Sequence, residues 1–426
     1  LQIIEDSATQ SSPETRAGRR LTLVTLAVVA AVFAWLFVGY LLWARSYTDL
    51  IDLLVYRAGG HAVLHGHSIY AADFAAANQS PNGLSFTYPP FAAVVFVPLA
   101  IVPVGVAKTL MLLFNTSAAL LLFTLIVVAT QGNWDRLRSR HALTGAVSVK
   151  TAVVLVIAAI VFTLSVPVEH NMTYGQVNLL LAAAVALDIL PPRVPWPRGL
   201  LVGIAVAIKL TPAVFVGYFL VTRAWRPLVV SVVTTVLAVL VGWLVLPADT
   251  VRYLTSTAFD PARIGGLAYS SNQSVRGILE RLPKLDSVHG AVWMVATVLV
   301  LALAVTAIEV NRRRGDTVAA LLSAAFIGLL CSPVSWGHHW VWLPAAAVYF
   351  LVRWAAVGAA SDVVAGVLVA GISLWAPWAH LPNSDDRERL WSAGQHLLGS
   401  VWGMTALVLL VLFAVRARKP VPEMKA

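Results

Sequence analysis

The chain has 426 residues, of which 59% are hydrophobic and only 12% charged, with a mean hydropathy of +0.80. Soluble domains carry about 25% charged residues, so that class is excluded and a polytopic membrane protein is implied. The net charge of +10 does not point to nucleic acid, because Lys and Arg gather in short connections between apolar runs (RAGRR, RLRSR, RAWRP, NRRRGD, RARK). That is the positive-inside pattern of an inner-membrane protein, with anionic lipid headgroups as the charge partners.

In chain order, residues 1–20 are polar and aperiodic and read as a cytoplasmic tail. The first apolar run, 21–43, exceeds the roughly 7–15 residues of a signal-peptide core and reads as a retained anchor. Further spanning helices are predicted at 88–103, 105–130, 149–168, 175–190, 198–222, 227–246, 290–311, 317–332, 340–353, 361–377 and 394–415, about twelve in all within one membrane domain, 21–415. Strand-like alternation does not recur, so the expected fold is all-α, with short interfacial helices in the outer loops. Arg16, Arg19 and Arg20 place the N-terminus in the cytoplasm, and Arg416, Arg418 and Lys419 do the same for the tail 416–426. An even number of crossings follows. Twelve full crossings would put Arg136, Arg138 and Arg140 outside, so either the charge rule yields there or a Pro-flanked segment near 88–103 or 198–222 is re-entrant or broken. The single Cys331 ends an apolar run and reads as a buried structural thiol, which leaves no internal disulfide framework.

Three longer connections, 44–87, 247–289 and 378–393, fall outside the membrane, so the chemistry is expected on that face. In the first, TDLIDLLVYRAGGHAVLHG reads as a short helix at the interface, capped by Thr48 and broken at Gly59 and Gly60, with Leu50, Leu53, Leu54 and the body of Tyr56 in the headgroup layer. Asp49, Asp52 and Tyr56 share one face. Asp49 has a sufficient reason in the helix dipole. Asp52, a turn further in, does not, and a carboxylate against apolar walls suits a general base on a hydroxyl. Its alternative is a structural partner for Arg57. Tyr88 in FTYPPF reads either as an interface residue beside a Pro-started helix or as part of a sugar site.

Lys209 in AIKLTP is the most buried-looking charge, and two readings stand: a lipid phosphate ligand, or a structural pair with Asp188 or Glu169. Glu169 and His170, with Gln176 and Asn178, form a polar cluster in VEHNMTYGQVN that could contact sugar. In AYSSNQSVRG, Asn272, Gln273 and Arg276 are candidates for sugar hydroxyls or phosphate, the planar fork of Arg276 suiting an anion. PNSDDRERLW reads as solvated charge. His61 and His65 have the i, i+4 spacing of metal ligands, but Gly59, Gly60 and Gly66 argue against a rigid site, and no metal or cofactor is expected. Walker, Rossmann and nucleotide-sugar signatures are absent from the sequence, in keeping with a lipid-linked donor.

Taken in order, DLLVYRAGG after the first membrane helix, LHGHSIY, YPPFAA, GQVNLLLAA, AIKLTP, SSNQSVRG and SPVSWGHHWVW resemble the actinobacterial polyprenol-phosphate-mannose-dependent α-(1→2)-mannosyltransferases of the GT-C superfamily, which extend phosphatidylinositol mannosides. The resemblance runs from about Arg20 to Arg416. It implies a GT-C-type bundle with its active site facing outward across the plasma membrane. It further implies a polyprenyl-phosphate-mannose donor, a glycolipid acceptor and a single displacement with inversion. Asp52 matches the family's acidic base in the first outer loop, with Tyr56 and Arg57 beside it as part of the acceptor site. The leaving phosphate needs donors or positive charge, for which His338 and His339 in SPVSWGHHWVW, among Trp336, Trp340 and Trp342, come first, and Arg276 second. A lipomannan-branching mannosyltransferase, a decaprenyl-phosphoarabinose-dependent arabinofuranosyltransferase and a glycolipid flippase remain rival readings. The lack of paired internal halves weighs against the flippase.

Overall fold

The computed structural model describes residues 13–46, 50–132, 134, 147–260, 263 and 265–415. Thr48, Asp49, the arginines at 136, 138 and 140, and the C-terminal tail lie outside the described residues.

In chain order the helices are α1 (Pro13–Ser46), α2 (Ile51–His65), α3 (Pro90–Ile101), α4 (Val104–Gln131), α5 (Val149–Leu164), α6 (Val166–Tyr174), α7 (Asn178–Ile189), α8 (Leu200–Ile208) and α9 (Val214–Val221). They continue as α10 (Trp225–Val245), α11 (Pro247–Thr255), α12 (Val275–Glu280), α13 (His289–Arg313), α14 (Thr317–Cys331), α15 (Trp342–Val357), α16 (Ala360–Ser373), α17 (Ala393–Gly399) and α18 (Val401–Val415). No strand forms among the described residues. The protein is an all-α polytopic membrane protein. α1 opens at Pro13, so residues 13–20 extend the first helix instead of belonging to an aperiodic tail.

Five helical segments are long and apolar enough to cross a bilayer unaided: Ala17–Trp43, Val104–Gln131, Trp225–Val245, His289–Arg313 and Ala360–His380. Two bent pairs, α5 with α6 (47°) and α17 with α18 (66°), bring the number to seven, and the remaining apolar helices are shorter. Each of the predicted segments contains at least one apolar helix, and length and composition alone qualify five to seven of them as crossings. The segment 198–222 is broken: α8 ends at Ile208, Lys209 is extended (φ −149°, ψ 131°), and the chain re-forms through Thr211–Ala213 into α9.

Apolar side chains sort by solvent. On α10, Val233, Val236, Leu237, Leu240 and Leu244 face outward, and on α13 Met294, Val295, Val298 and Leu299 do the same. Left in water, each such side chain would forgo about 1.5–3 kcal/mol, so these faces belong against lipid. α14 and α15 carry the inner layer, with α13 against α14, α15 between α5 and α16, and α4 against α7.

α2 departs from its predicted shape. It runs unbroken through Gly59 and Gly60 and stops at Gly66, which is left-handed (φ 67°). The two internal glycines serve close approach: a Cβ on Gly59 would lie 2.4 Å from Phe86, and one on Gly60 would lie 2.8 Å from the Phe96 carbonyl of α3. Leu50, Leu53 and Tyr56 are fully buried against protein, so they do not rest in headgroups as expected. The helix is a structural wall, packed along α3.

Candidate functional site

Between α2, the loop before α3, the break after α8 and the loop 332–339 lies a cavity of about 780 Å³. Asp52, Tyr88, Gln176, Lys209, His338 and His339 all face it, together with Trp336, Tyr253, Thr257, Asp260 and Arg263. Residues more than a hundred positions apart in the chain thus share one space.

Asp52 stands in the first turn of α2. Burial against the apolar wall pushes its carboxyl up to about 6, while hydrogen bonding from Gln176 and the positive charge of Lys209 act in the opposite direction. The result is a base ionised at neutral pH and close enough to it to take up a proton. Tyr56, one helical turn away, is buried, stacks on Phe96 (4.3 Å between rings) and bonds the Tyr88 hydroxyl at 2.9 Å. Burial holds the hydroxyls of Tyr56 and Tyr88 well above the usual phenol range, so both stay protonated. Tyr88 is therefore an element of the cavity wall and not an interface residue.

Lys209 donates to Asn178 Oδ1 at 2.8 Å and stands 3.0 Å from His339 Nε2, with the Tyr88 ring 5.3 Å away. The expected pairing with Asp188 or Glu169 does not form. Asp188 instead accepts from Trp196 Nε1 and from the backbone N–H groups of Gly199 and Val202, capping the start of α8. Glu169 is exposed on α6.

His338 and His339 occupy a single 3-10 turn, Gly337–His339. Burial, and next the nearby charge of Lys209, hold both rings well below the usual imidazole range, so both are neutral. The Trp336 N–H donates to His339 Nδ1 at 3.2 Å, which leaves the ring proton on Nε2, facing Lys209. Lys209 Nζ and His339 Nε2 are in direct contact at 3.0 Å and both line the cavity, so an anionic oxygen on the cavity side would meet the two together. His170 packs its ring under Gly337, where a Cβ would come within 2.8 Å of its Nδ1, and so supports this turn from behind.

The other candidates leave the cavity. Arg57 reaches the carbonyls of Leu99 and, at 2.8 Å, Val102, closing the end of α3, and pairs with no carboxylate among the described residues. Gln273, fully buried, donates to Ser270 O and Gly399 O. Arg276 pairs with Glu280 at 2.5 Å and covers the Trp293 ring. The third loop is not merely solvated charge: Glu388 is 1% exposed and accepts from the N–H groups of Ser270 and Ser384. Trp340 and Trp342 are buried beside Trp402 and Phe215, and only Trp336 of that trio lines the cavity. Cys331 is half-buried and also lines it.

Sequence reasoning passed over Tyr253 and Arg263, whose guanidinium lies 5.3 Å from the Tyr70 ring. The available signal was a lone arginine in FDPARIGG, a Pro- and Gly-bounded stretch of an outer loop.

An all-helical membrane bundle that brings a carboxylate and a lysine into one cavity has the parts of a group-transfer enzyme. Residues 86–333 match glycosyltransferase family 87, and the chain belongs to that family. Over 409 residues (95% of the chain and 93% of the relative) it is 33% identical to a polyprenol-phosphate-mannose-dependent alpha-(1-2)-phosphatidylinositol mannoside mannosyltransferase of Mycobacterium tuberculosis. It is 36% identical to the Mycolicibacterium smegmatis protein of the same description, covering 93% of the chain and 90% of that relative. A polyprenol-phosphate-mannose-dependent alpha-(1-2)-phosphatidylinositol pentamannoside mannosyltransferase of M. smegmatis is 35% identical over 337 residues, 79% of the chain and 77% of its own length.

Proposed function

We propose that this protein moves mannose from polyprenyl-phosphate-mannose to a mannose hydroxyl of a phosphatidylinositol mannoside, forming an α-(1→2) linkage with inversion at the outer face of the plasma membrane. The observation that carries the reading is the shared cavity: Asp52, a carboxyl in the range of a general base, opposite Lys209 and the Nε2–H of His339, in a member of a glycosyltransferase family whose relatives carry that activity in their names.

Asp52 takes the proton of the acceptor hydroxyl as the new C1–O bond forms and the C1–O bond to phosphate breaks. Charge grows on the leaving phosphate, where Lys209, His339 and His338 supply donors already aimed at the cavity. The leaving group is an anion that needs no general acid, which suits a site whose histidines are neutral. Arg263 adds a cation on the outer-loop wall.

The test is a reconstituted assay of purified protein with polyprenyl-phosphomannose and a phosphatidylinositol tetramannoside, products followed by mass spectrometry. Gain of one hexose, absent in Asp52→Asn, is expected. Transfer from decaprenyl-phosphoarabinose alone, or from neither donor, overturns the reading.

A further inference from the structure

The group that meets Asp52 is an amide, and its orientation follows from its neighbours. Lys209 can only donate, so Asn178 meets it with Oδ1, at 2.8 Å. The Asn178 NH2 then faces Gln176 at 3.3 Å, and Gln176 must present Oε1 to it. The same oxygen receives the hydroxyls of Tyr56 at 2.9 Å and Tyr88 at 3.3 Å. With Oε1 engaged in this way, the NH2 of Gln176 is left for the cavity that the Asp52 carboxylate also lines, where it acts as a donor toward that carboxylate. Asn178 is itself held, its NH2 also within reach of the carbonyl of His338 at 3.1 Å and of Asn171 Oδ1 at 3.3 Å. Rotating either amide would set donor against donor.

The backbone delivers Gln176 to this place. α6 ends at Gly175 in the left-handed region (φ 68°), and a Cβ there would lie 2.9 Å from Leu53 Cβ. Only glycine lets the turn press onto α2 beside the base.

We propose that Gln176 is a positioning residue of the transfer: locked by Tyr56, Tyr88 and Asn178, its NH2 holds the Asp52 carboxylate in its acting orientation. The inference rests on Asp52 being the base. It also makes the turn 175–178 a single structural link from the cation to the base, since Asn178 seats Lys209 and Gln176 seats Asp52. The titratable groups that act on Asp52 or are acted on by it are Tyr56 on its own helix, Tyr88 ahead of α3, Tyr174 at the end of α6 and Lys209 at the α8 break. His338 and His339 line the same cavity.

The experiment titrates Asp52 directly, without requiring turnover. Dicyclohexylcarbodiimide, which consumes protonated carboxyls, is applied to the full-length protein in proteoliposomes across a pH series, and modification at Asp52 is read by mass spectrometry. Gln176→Met keeps the length of the side chain and removes the amide. Its labelling midpoint should rise by about one pH unit, because a donor to the charged form is lost. In the transfer assay its kcat should fall about 10–100-fold while the donor KM stays within about threefold, as for an interaction that serves the reacting base. Tyr88→Phe removes one clamp on Oε1 and should move the midpoint the same way by less; it decides the matter if Gln176→Met does not fold. An unmoved midpoint overturns the inference, including the case in which kcat falls without it, which is what a purely structural role would give. A shifted midpoint in a protein that transfers no mannose upholds the link between Gln176 and Asp52 and overturns the proposed function instead.

Discussion

Around Asp52 the polar side chains reach a cavity, whereas around Arg281 they reach one another. Arg281, fully buried in the second outer loop, donates to the carbonyl of Asn272 at 2.9 Å and to Ser400 Oγ at 3.3 Å, with the Trp391 ring against it. Burial draws it down to about 10, and the Glu388 carboxylate acts in the opposite direction. Asn272, Gln273, Glu388 and Arg281 tie the second and third loops together and to α18, much as a polar core would. In the sequence both regions are aromatic, amide-rich outer segments carrying a charge. They differ in where their groups point: the first sets Asp52, Lys209 and His339 on an open cavity, and the second directs its groups into the fold, where Gln273 Oε1 and Arg281 Nε are buried without a partner. A polar residue is available for chemistry to the extent that folding leaves it facing open space.

That comparison can be broken by mutation. The largest effect is expected from Asp52→Asn, which should lower kcat at least about 1000-fold while purified protein keeps its elution profile and helical content, since loss of a general base typically costs 10²–10⁴-fold. Lys209→Met should reduce kcat/KM for the lipid donor about 100-fold, the usual consequence of removing one electrostatic stabiliser of the leaving group. The pH profile sharpens the assignment further. The base must be unprotonated, so kcat/KM should fall about tenfold per unit once pH drops below about 6, the position to which burial has raised Asp52. A profile flat down to pH 5 would remove Asp52 from the role.

The second region should answer in stability and not in rate. Glu388→Gln and Gln273→Leu should each lower the thermal midpoint by about 2–8 °C, the consequence of about 1–3 kcal/mol for a disrupted buried hydrogen bond, with kcat/KM of the folded fraction within about twofold of the parent. Loss of activity at unchanged stability would erase the distinction between the regions. The smallest effect concerns Asp52 again. Its carboxyl titrates higher in the fold than in an unfolded chain, so the folded state holds the proton more tightly, and the stabilisation present at pH 4 is lost as pH rises through about 6. Asp52→Asn should therefore raise the midpoint at pH 7.5 slightly while abolishing turnover, the opposite of the Glu388 result.

Composition and apolar periodicity were enough to read an all-α membrane protein and to find its apolar helical segments, because a bilayer imposes length and hydrophobicity on each segment separately. The order of local motifs was enough to suggest the family, since that order is a property of the sequence itself. The break at Lys209 was legible as a possibility from the charge and Pro212 within an apolar run, but only packing shows where α8 stops. What the sequence did not contain was the direction of each polar group after folding. Arg57 and Gln273 look as available as Lys209 and His339 until α3 offers its terminal carbonyls to the one and Gly399 its carbonyl to the other. Arg263 and Tyr253 enter the cavity because the second outer loop folds across it, a contact between segments about two hundred residues from Asp52. Hydrogen bonds are satisfied by whatever group the tertiary fold brings near, and that choice is made between distant parts of the chain.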